Sequence, residues 1–188
     1  MYERTLVILK PDAIERGLSG RIISIFEDVG LRIVEAKMLV PPAELMDRHY
    51  ISDPEYLKSL GNKSLNAYKA QGFDIKSHLG TDDPLKLGKM IRGWLVDYIT
   101  SGPVLAMVLE GNCAIQVVRK LVGVTFPFDA APGTIRARFS NDSSELANFQ
   151  RRSVHNLVHA SGNADEANSE ITLWFGKPAT KLSKELSK

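Results

Sequence analysis

Thr5-Leu6-Val7-Ile8-Leu9-Lys10-Pro11-Asp12 is the stretch of sequence that decides the fold of this chain. Five apolar or β-branched residues in succession predict a buried strand, and the Lys-Pro-Asp after them predicts the turn that ends it. Apolar residues then recur at helical spacing from 22 to 29, and Gly30 predicts the end of that helix. Leu31 to Val40 alternates as a second strand, with one face made of Val34, Ala36, Met38 and Val40.

Two further strand–helix pairs follow. Residues 103–109 predict a third strand closed by Gly111, and Asn112 is placed to cap a helix that ends at Gly123. Residues 154–158 predict a last strand and 164–175 a last helix, whereas 124–143 shows no clear period and is interpreted as a long loop. This order predicts an α+β sandwich with helices on one face of an antiparallel sheet.

Residues 51–100 interrupt this pattern. The glycines at 61, 72, 80 and 88, the turn-like Asp82-Asp83-Pro84 and short amphipathic pieces predict a mostly helical insertion, which we place at about 51–95. Because the segment has few large apolar side chains, it predicts no independent core, and the chain is interpreted as a single domain over 1–188. The Lys- and Ser-rich tail, from about 177 to 188, is expected to be mobile.

Composition restricts the class of protein. A chain of 188 residues with 44% hydrophobic and 24% charged residues is typical of a soluble globular domain, and no apolar run is long enough to span a bilayer. The net charge of +2 is too small to argue for nucleic acid or a membrane surface. The single cysteine, Cys113, excludes an intrachain disulfide, and the N-terminus enters a strand-like run without room for a signal peptide. We therefore expect a cytoplasmic protein.

His159 is the first candidate for chemistry. A neutral imidazole nitrogen is one of the few side-chain groups that can accept a phosphoryl group at neutral pH, provided that a partner orients its second nitrogen. Glu170 lies eleven residues later on the predicted last helix and is suited to that role. Taken alone, such a histidine is more often a packed or surface residue, so the rest of the chain has to supply the context.

That context is a set of cations and donors at turns and loops: Lys10, Arg119, Arg136 and Asn156. Phosphoryl transfer requires neutralisation of the transferred group and in-line positioning, and lysine and arginine supply both. Gly17-Leu18-Ser19-Gly20 precedes a helix but lacks the lysine and serine of a phosphate-binding loop.

Two other interpretations of these residues are weaker. His155 and His159 are four residues apart, as zinc ligands on a helix are, but Asn156 stands between them instead of glutamate and no third ligand is obvious. A basic, aromatic surface for single-stranded nucleic acid would need acidic residues to be sparse, and here they interleave with its members, which would be Arg136, Arg138, Arg151, Arg152, Phe139 and Phe149.

Several motifs in the same order give the chain a specific resemblance. They are Glu3 to Asp12, Arg16-Gly17-Leu18-Ser19-Gly20, His49-Tyr50, Ser101-Gly102-Pro103-Val104, Pro132-Gly133-Thr134-Ile135-Arg136, Asn156-Leu157-Val158-His159 and Glu170 to Phe175. Together they resemble the nucleoside diphosphate kinase family over nearly the whole chain outside 51–100 and the last dozen residues.

The resemblance implies a ferredoxin-like fold, a four-stranded antiparallel sheet covered by helices. It also implies transfer of a γ-phosphate from a nucleoside triphosphate to a nucleoside diphosphate by a ping-pong mechanism, with Mg²⁺ on the nucleotide, in a homo-oligomer that is a hexamer or tetramer. By motif position, His159 would be the phosphorylated nucleophile and Glu170 its carboxylate partner. The positions that would hold phosphates or sugar are Lys10, Tyr50, Arg119, Thr125, Arg136 and Asn156, and Tyr56 is the candidate for stacking on the base.

Four positions depart from the pattern of the family. The histidine motif usually continues Gly-Ser-Asp, whereas this chain has Ala160-Ser161-Gly162. Ala160 is harmless only if its backbone avoids positive φ, and loss of the acidic side chain at Gly162 is expected to loosen the loop. Arg138 reverses a charge close to the expected nucleotide site, and His155 stands where many members have arginine.

Three classes of function are compatible with a chain of this kind, and each makes a different prediction. An active kinase predicts a phosphoenzyme on His159. A catalytically reduced, regulatory homologue predicts nucleotide binding without phosphotransfer, and the retained site residues argue against it. A nucleic-acid-binding ferredoxin-like module predicts aromatic residues exposed on the sheet and no phosphoenzyme.

Overall fold

The computed structural model describes residues 2–70 and 72–176. The tail that we expect to be mobile, 177–188, lies outside the described residues. Within the described part of the chain, no helix is both long enough and apolar enough to cross a membrane.

One four-stranded antiparallel sheet forms the centre of the fold. Its strands, in spatial order, are β2 (Arg32–Leu39), β3 (Val104–Asn112), β1 (Tyr2–Leu9) and β4 (Val158–Ala160). The apolar run of the opening motif is therefore a central strand, as a nearly continuous hydrophobic sequence predicts. The short β4 pairs with β1 so that His159 lies opposite Ile8.

Ten α-helices and one short 3₁₀ helix are described around this sheet. In chain order they are α1 (Pro11–Glu15), α2 (Ser19–Asp28), α3 (Ala43–His49), α4 (Pro54–Ala70), α5 (Ile75–Leu79), α6 (Pro84–Thr100), α7 (Ala114–Val122), the 3₁₀ helix Pro127–Asp129, α8 (Ile135–Phe139), α9 (Ser144–Phe149) and α10 (Ala164–Phe175).

Helices cover both faces of the sheet, so the prediction of helices on one face is wrong. Val7 and Leu9 of β1 pack into a core with α2, α7 and α8, whereas Leu6 and Ile8 pack into a second core with α3, α6 and α10. Since successive residues of a strand point to opposite faces, an uninterrupted apolar strand has to be covered twice. The α+β class and the four-stranded antiparallel sheet are confirmed.

The ends of two predicted strands are also corrected. Strand β3 continues through Gly111 to Asn112, so Asn112 is not the cap of α7; instead the Ile115 N–H donates to Glu3 Oε1 at 3.1 Å. The last strand begins at Val158, not 154, because Leu157 has a φ of 68° and the chain turns there. A residue in the left-handed region cannot continue an extended strand.

Strand β2 differs from the expected alternation because it contains an irregularity between Ile33 and Glu35. An extra residue in one strand moves the side chains that follow it to the other face, so Val34 does not share a face with Ala36 and Met38. Met38 and Val40 are 59% and 58% exposed at this outer edge of the sheet.

The segment 51–100 is helical, as expected. It consists of α4, α5 and α6, whose long members α4 and α6 cross at two glycines. A Cβ at Gly61 would lie 1.9 Å from the Pro84 carbonyl oxygen, and one at Gly88 would lie 1.9 Å from that of Leu57. These glycines allow the backbones of α4 and α6 to touch.

The short helices α8 and α9 were not predicted. They are five and six residues long, which is too short to show a helical period in the sequence.

Candidate active site

The catalytic candidate His159 lies on β4, beside Glu170 in the middle of α10. Its Nε2 is 2.9 Å from Glu170 Oε1, and the other oxygen, Glu170 Oε2, accepts a hydrogen bond from Ser161 Oγ at 2.6 Å. The side chains of His159 and Glu170 are only 23% and 16% exposed. The carboxylate therefore holds the imidazole through one nitrogen and leaves Nδ1 available for chemistry.

Glu170 is held in its ionised form. Burial raises the pKa of this carboxyl, but the hydrogen bonds from His159 and Ser161 and the electrostatic attraction of His159 and His49 together outweigh it, so the pKa lies below its usual value. An ionised carboxylate only accepts hydrogen bonds, which places the imidazole proton on Nε2 and the lone pair on Nδ1. The site thus selects the tautomer of His159 that leaves the lone pair on Nδ1.

Lys10 supplies the central cation of the site. It follows β1 directly and is 5% exposed, with Nζ donating to Asn156 Oδ1 at 2.8 Å and lying 5.0 Å from the centre of the Tyr98 ring. Burial and the nearby Arg136 lower the pKa of Lys10 to about 7. A lysine in this state is poised to become fully charged when an anion arrives.

Asn156 connects Lys10 to the loop after α7. Its Oδ1 accepts from Lys10, and its Nδ2 donates to the Thr125 backbone oxygen at 2.9 Å. The Thr125 side chain is exposed beside this contact. The structure therefore brings Lys10, Asn156 and Thr125 together, although the amide of Asn156 is engaged within the protein.

The Arg136 side chain is buried and donates hydrogen bonds to three backbone carbonyl oxygens. Its Nε donates to Asn156 O, Nη1 to Gly123 O and Nη2 to Val158 O, at 3.1, 2.8 and 2.6 Å. Burial and the like charge of Arg119 lower the pKa of Arg136 to about 10. Two guanidinium groups that repel each other beside Lys10 form a site whose charge is complementary to a polyanion.

The two tyrosine candidates lie at the entrance of the insertion. Tyr50 is 8% exposed, and its ring packs edge-on against His49 at 4.9 Å; burial raises its pKa. Tyr56, at the start of α4, is half-buried, and burial raises its pKa while Arg92 opposes the shift. Arg92 donates to the Tyr50 carbonyl oxygen at 2.7 Å, which fixes the end of α3 against α6.

Sequence reasoning missed a network under the histidine loop. The strained residue Leu157 donates its N–H to Asp12 Oδ2 at 3.2 Å, and Tyr98 donates its hydroxyl to Asp12 Oδ1 at 2.6 Å. A non-glycine residue in the left-handed region costs energy and persists when its surroundings hold it there. The Asp12 of the opening motif was visible in the sequence as a turn residue, but its partner Tyr98 is 86 residues away.

The departures from the family pattern are accommodated in three ways. Ala160 lies in β4 without a positive φ, so it causes no strain. His155 stacks on Tyr98 with ring centres 4.7 Å apart. Arg138 lies over Phe139, with its guanidinium carbon 5.3 Å from the ring centre, and Arg21 contacts the same ring.

The loop at Gly162 is tied down, contrary to our expectation that it is loosened. The Gly162 N–H donates to Glu166 Oε2 at 2.7 Å, Asn163 Nδ2 donates to Glu166 Oε1, and the Glu166 N–H donates back to Asn163 Oδ1. This is a reciprocal cap at the start of α10, so Glu166 provides the carboxylate that position 162 lacks.

We expect Gly162→Asp to destabilise the protein. A Cβ at Gly162 would lie 2.7 Å from Glu166 Oε2, so Glu166 would have to move and give up the cap, at a cost of about 1 kcal/mol. Thermal unfolding should show a Tm lower by about 2–4 °C. The double variant Gly162→Asp, Glu166→Ser should recover most of this loss, and strictly additive effects would contradict the account.

The alternative interpretations of the same residues do not fit this geometry. His155 and His159 contact different partners, and the described residues that come closest to a metal-binding group are His49, His159 and Glu170. Their candidate ligand atoms lie up to 4.8 Å apart, wider than the roughly 3.4 Å expected between ligands of tetrahedral zinc. Arg136 is buried and Arg152 pairs with Asp142, so these arginines do not form one exposed surface.

A cavity of about 570 Å³ lies away from this site, between α5 and α9. Its walls include Tyr68, Phe73, His78 and Phe149 and none of the site residues described above.

The family is decided by a comparison with known sequences. The family model described as "Nucleoside diphosphate kinase" matches residues 3–61 and 86–179. This chain belongs to the nucleoside diphosphate kinase family. The matched ranges leave out 62–85, a part of the predicted insertion, and contain every site residue described above. As a family member, the chain is an enzyme, a phosphotransferase.

Individual relatives agree with the family. A nucleoside diphosphate kinase of Pyrobaculum aerophilum is 53% identical over 92% of this chain and 94% of that relative. The crystal structure of an NDP kinase from the same organism matches with a TM-score of 0.90 and 51% identity, covering 93% of this chain and 96% of the other. A structure of the nucleoside-diphosphate kinase from Borrelia burgdorferi, described as a transition-state mimic with bound vanadate and ADP, matches with a TM-score of 0.74 and 34% identity over 98% of this chain and 94% of the other.

Proposed function

We propose that this family member transfers the γ-phosphate of a nucleoside triphosphate to a nucleoside diphosphate through a phosphohistidine on Nδ1 of His159. The observation that supports this most directly is the 2.9 Å contact between His159 Nε2 and Glu170 Oε1. Within residues 2–70 and 72–176, Nδ1 of His159 has no hydrogen-bond partner. The nucleophilic nitrogen is therefore free, and the other nitrogen is oriented.

The proposed reaction has two mirror-image steps. The Nδ1 lone pair attacks the γ-phosphorus in line, a P–N bond forms, and the bond from phosphorus to the β,γ-bridging oxygen breaks, which releases the diphosphate. The imidazole becomes cationic, and its Nε2–H donates to the Glu170 carboxylate, which stabilises that charge. A second diphosphate then attacks the same phosphorus with its terminal oxygen, the P–N bond breaks, and neutral His159 is restored.

Phosphate and sugar would be held by the residues around His159. We propose that Lys10, Arg119 and Arg136 bind phosphate oxygens, and that Tyr50, Thr125 and Asn156 complete the nucleotide site. The lowered pKa values of Lys10 and Arg136 support this, since an incoming polyanion would relieve the repulsion between the cations. Tyr56 is proposed to stack on the base, supported by its half-buried position beside Arg92 at the entrance.

Mg²⁺ is proposed to enter with the nucleotide phosphates. Three carboxylates beside the histidine loop are already committed: Glu170 accepts from His159 and Ser161, Asp12 accepts from Tyr98 and Leu157, and Glu166 accepts from Gly162 and Asn163. The side chains that we propose to bind phosphate oxygens, Lys10, Arg119 and Arg136, are cations and offer no ligand to a metal ion. Mg²⁺ would neutralise phosphate charge, while the chain's own residues orient the reacting groups.

The proposal is tested with γ-labelled ATP. The wild-type protein should retain an acid-labile, alkali-stable label that added nucleoside diphosphates release, and His159→Ala should retain none. His78→Ala is the matched control, since this histidine lies on α5 outside the site and its loss should leave the label. Nucleotide binding without any label in the wild type would instead indicate a regulatory homologue.

Assembly and location complete the proposal. We propose a cytoplasmic homo-oligomer, a hexamer or tetramer, supported for assembly by the exposed Met38 and Val40 beside an unpaired sheet edge. Met38→Lys is expected to lower the oligomer mass measured by light scattering, because a charge would have to be buried. Thr172→Lys, an exposed change on α10, is the control, and an unchanged mass in Met38→Lys would place the interface elsewhere.

A further inference from the structure

His49 lies at the centre of the site, although its role was not visible in the sequence. It is the last residue of α3, and its side chain is 2% exposed. Its ring meets the His159 ring edge-on, with centres 4.7 Å apart and planes at 78°. On its other side, the Trp174 ring lies at 89° with centres 5.7 Å apart.

A single hydrogen bond defines the state of this ring. Trp174 Nε1 lies 3.3 Å from His49 Nδ1. Because an indole nitrogen can only donate, His49 Nδ1 has to be the acceptor, and the ring proton lies on Nε2. Trp174 is itself 2% exposed and packed in the core beneath the sheet, so it holds His49 from a rigid position.

The surroundings keep His49 uncharged. Burial, together with the nearby His159 and Lys10, lowers its pKa to about 3, and Glu170, 3.8 Å from Nδ1, opposes the shift only in part. The buried Tyr50 also faces the ring. An uncharged neighbour places no positive charge beside His159 at the moment when that residue becomes cationic.

We propose that His49, fixed by Trp174, is a positioning residue for the nucleophile: its neutral ring forms the wall that keeps His159 on Glu170 with Nδ1 exposed. Glu170 constrains only one end of the His159 ring, and rotation about the Cβ–Cγ bond would remove Nε2 from the carboxylate. The edge-on His49 ring blocks that rotation. The kinetic consequence of this inference rests on the proposed phosphohistidine function. The positioning of His159 itself rests on the contacts among the His49, His159 and Trp174 side chains.

The test combines ring ¹⁵N NMR with single-turnover phosphorylation by ATP. In the nucleotide-free wild type, His159 should show one tautomer, protonated on Nε2. His49→Asn keeps an acceptor near the position of Nδ1 but removes the wall, so His159 should become a mixture of tautomers. The rate of phosphoenzyme formation should fall about 10- to 100-fold, the usual consequence of a misplaced reacting group, while the Kd for ADP changes less than about twofold.

Two controls make the outcome decisive. His78→Asn should change neither the His159 signals nor the rate. If His49→Asn does not fold, titration of the wild type decides: the His49 signals should stay those of a neutral, Nε2-protonated ring from pH 5 to 8, and protonation in that range would overturn the proposal.

A single His159 tautomer with an unchanged rate in folded His49→Asn would also overturn the proposal. If the wild type forms no phosphoenzyme at all, the proposed function fails, whereas the tautomer measurement still decides the role of His49.

Discussion

Lys10→Gln should lower kcat/KM for phosphotransfer by about 10²- to 10³-fold, the usual effect of removing one preorganised donor from developing charge. Lys10 is the most deeply buried cation of the site, and its Nζ donates to no described residue other than Asn156, so a bound phosphate would gain a full ammonium charge in a low-dielectric pocket. Glutamine is similar in length and can still donate to Asn156. The change therefore removes charge with little change in packing, and steady-state kinetics with ATP and a nucleoside diphosphate measure it.

The same variant tests the state of Lys10. Below its pKa of about 7 the lysine is already protonated, and above that pH it is largely neutral. Because a bound phosphate favours the ammonium form, ADP binding at pH 8 should take up a proton, and binding at pH 6 should take up less from this group. Calorimetry in buffers of different ionisation enthalpy measures the uptake, which Lys10→Gln should abolish. Equal uptake in the wild type and the variant would show that another group is responsible.

Glu170→Gln should slow phosphoenzyme formation by about 10²-fold or more. The glutamine amide can donate its N–H to His159 Nε2, which stabilises the tautomer with its proton on Nδ1, where the lone pair is needed. In a comparable histidine arrangement, loss of the orienting carboxylate lowers kcat about 10⁴-fold. The substitution also removes the negative charge that stabilises the cationic phosphoimidazole. Rapid-quench measurement of the first half-reaction gives the rate directly.

Ser161→Ala is the matched control for Glu170→Gln. It removes the 2.6 Å hydrogen bond to Glu170 Oε2 but keeps the 2.9 Å contact between Glu170 Oε1 and His159. Its rate should therefore fall much less, by about tenfold or below. If the serine variant were as slow as the glutamine variant, the orientation of Glu170 and not its charge would be the dominant contribution.

The sequence predicted which residues lie together at the site better than it predicted how the helices pack. The order of the motifs identified His159 and Glu170 as partners, and the structure places them in contact across eleven residues. The order of the motifs also placed Lys10 and Asn156 in one site, although 146 residues separate them, because both residues belong to family motifs. His49 was seen only as part of a His-Tyr pair, since nothing local shows that Trp174 will lie against it.

The sequence by itself determined the elements that depend only on residues close together in the chain. The last helix, Ala164–Phe175, was predicted to the residue because its apolar period is a local pattern. The apolar run of β1 likewise determined a buried central strand. Tertiary structure decided the features that need distant partners: cover on both sheet faces, the turn at Leu157 held by Asp12, and the His49 ring held by Trp174. A strained backbone or a buried imidazole is stable only when remote groups satisfy it, and local sequence does not contain those groups.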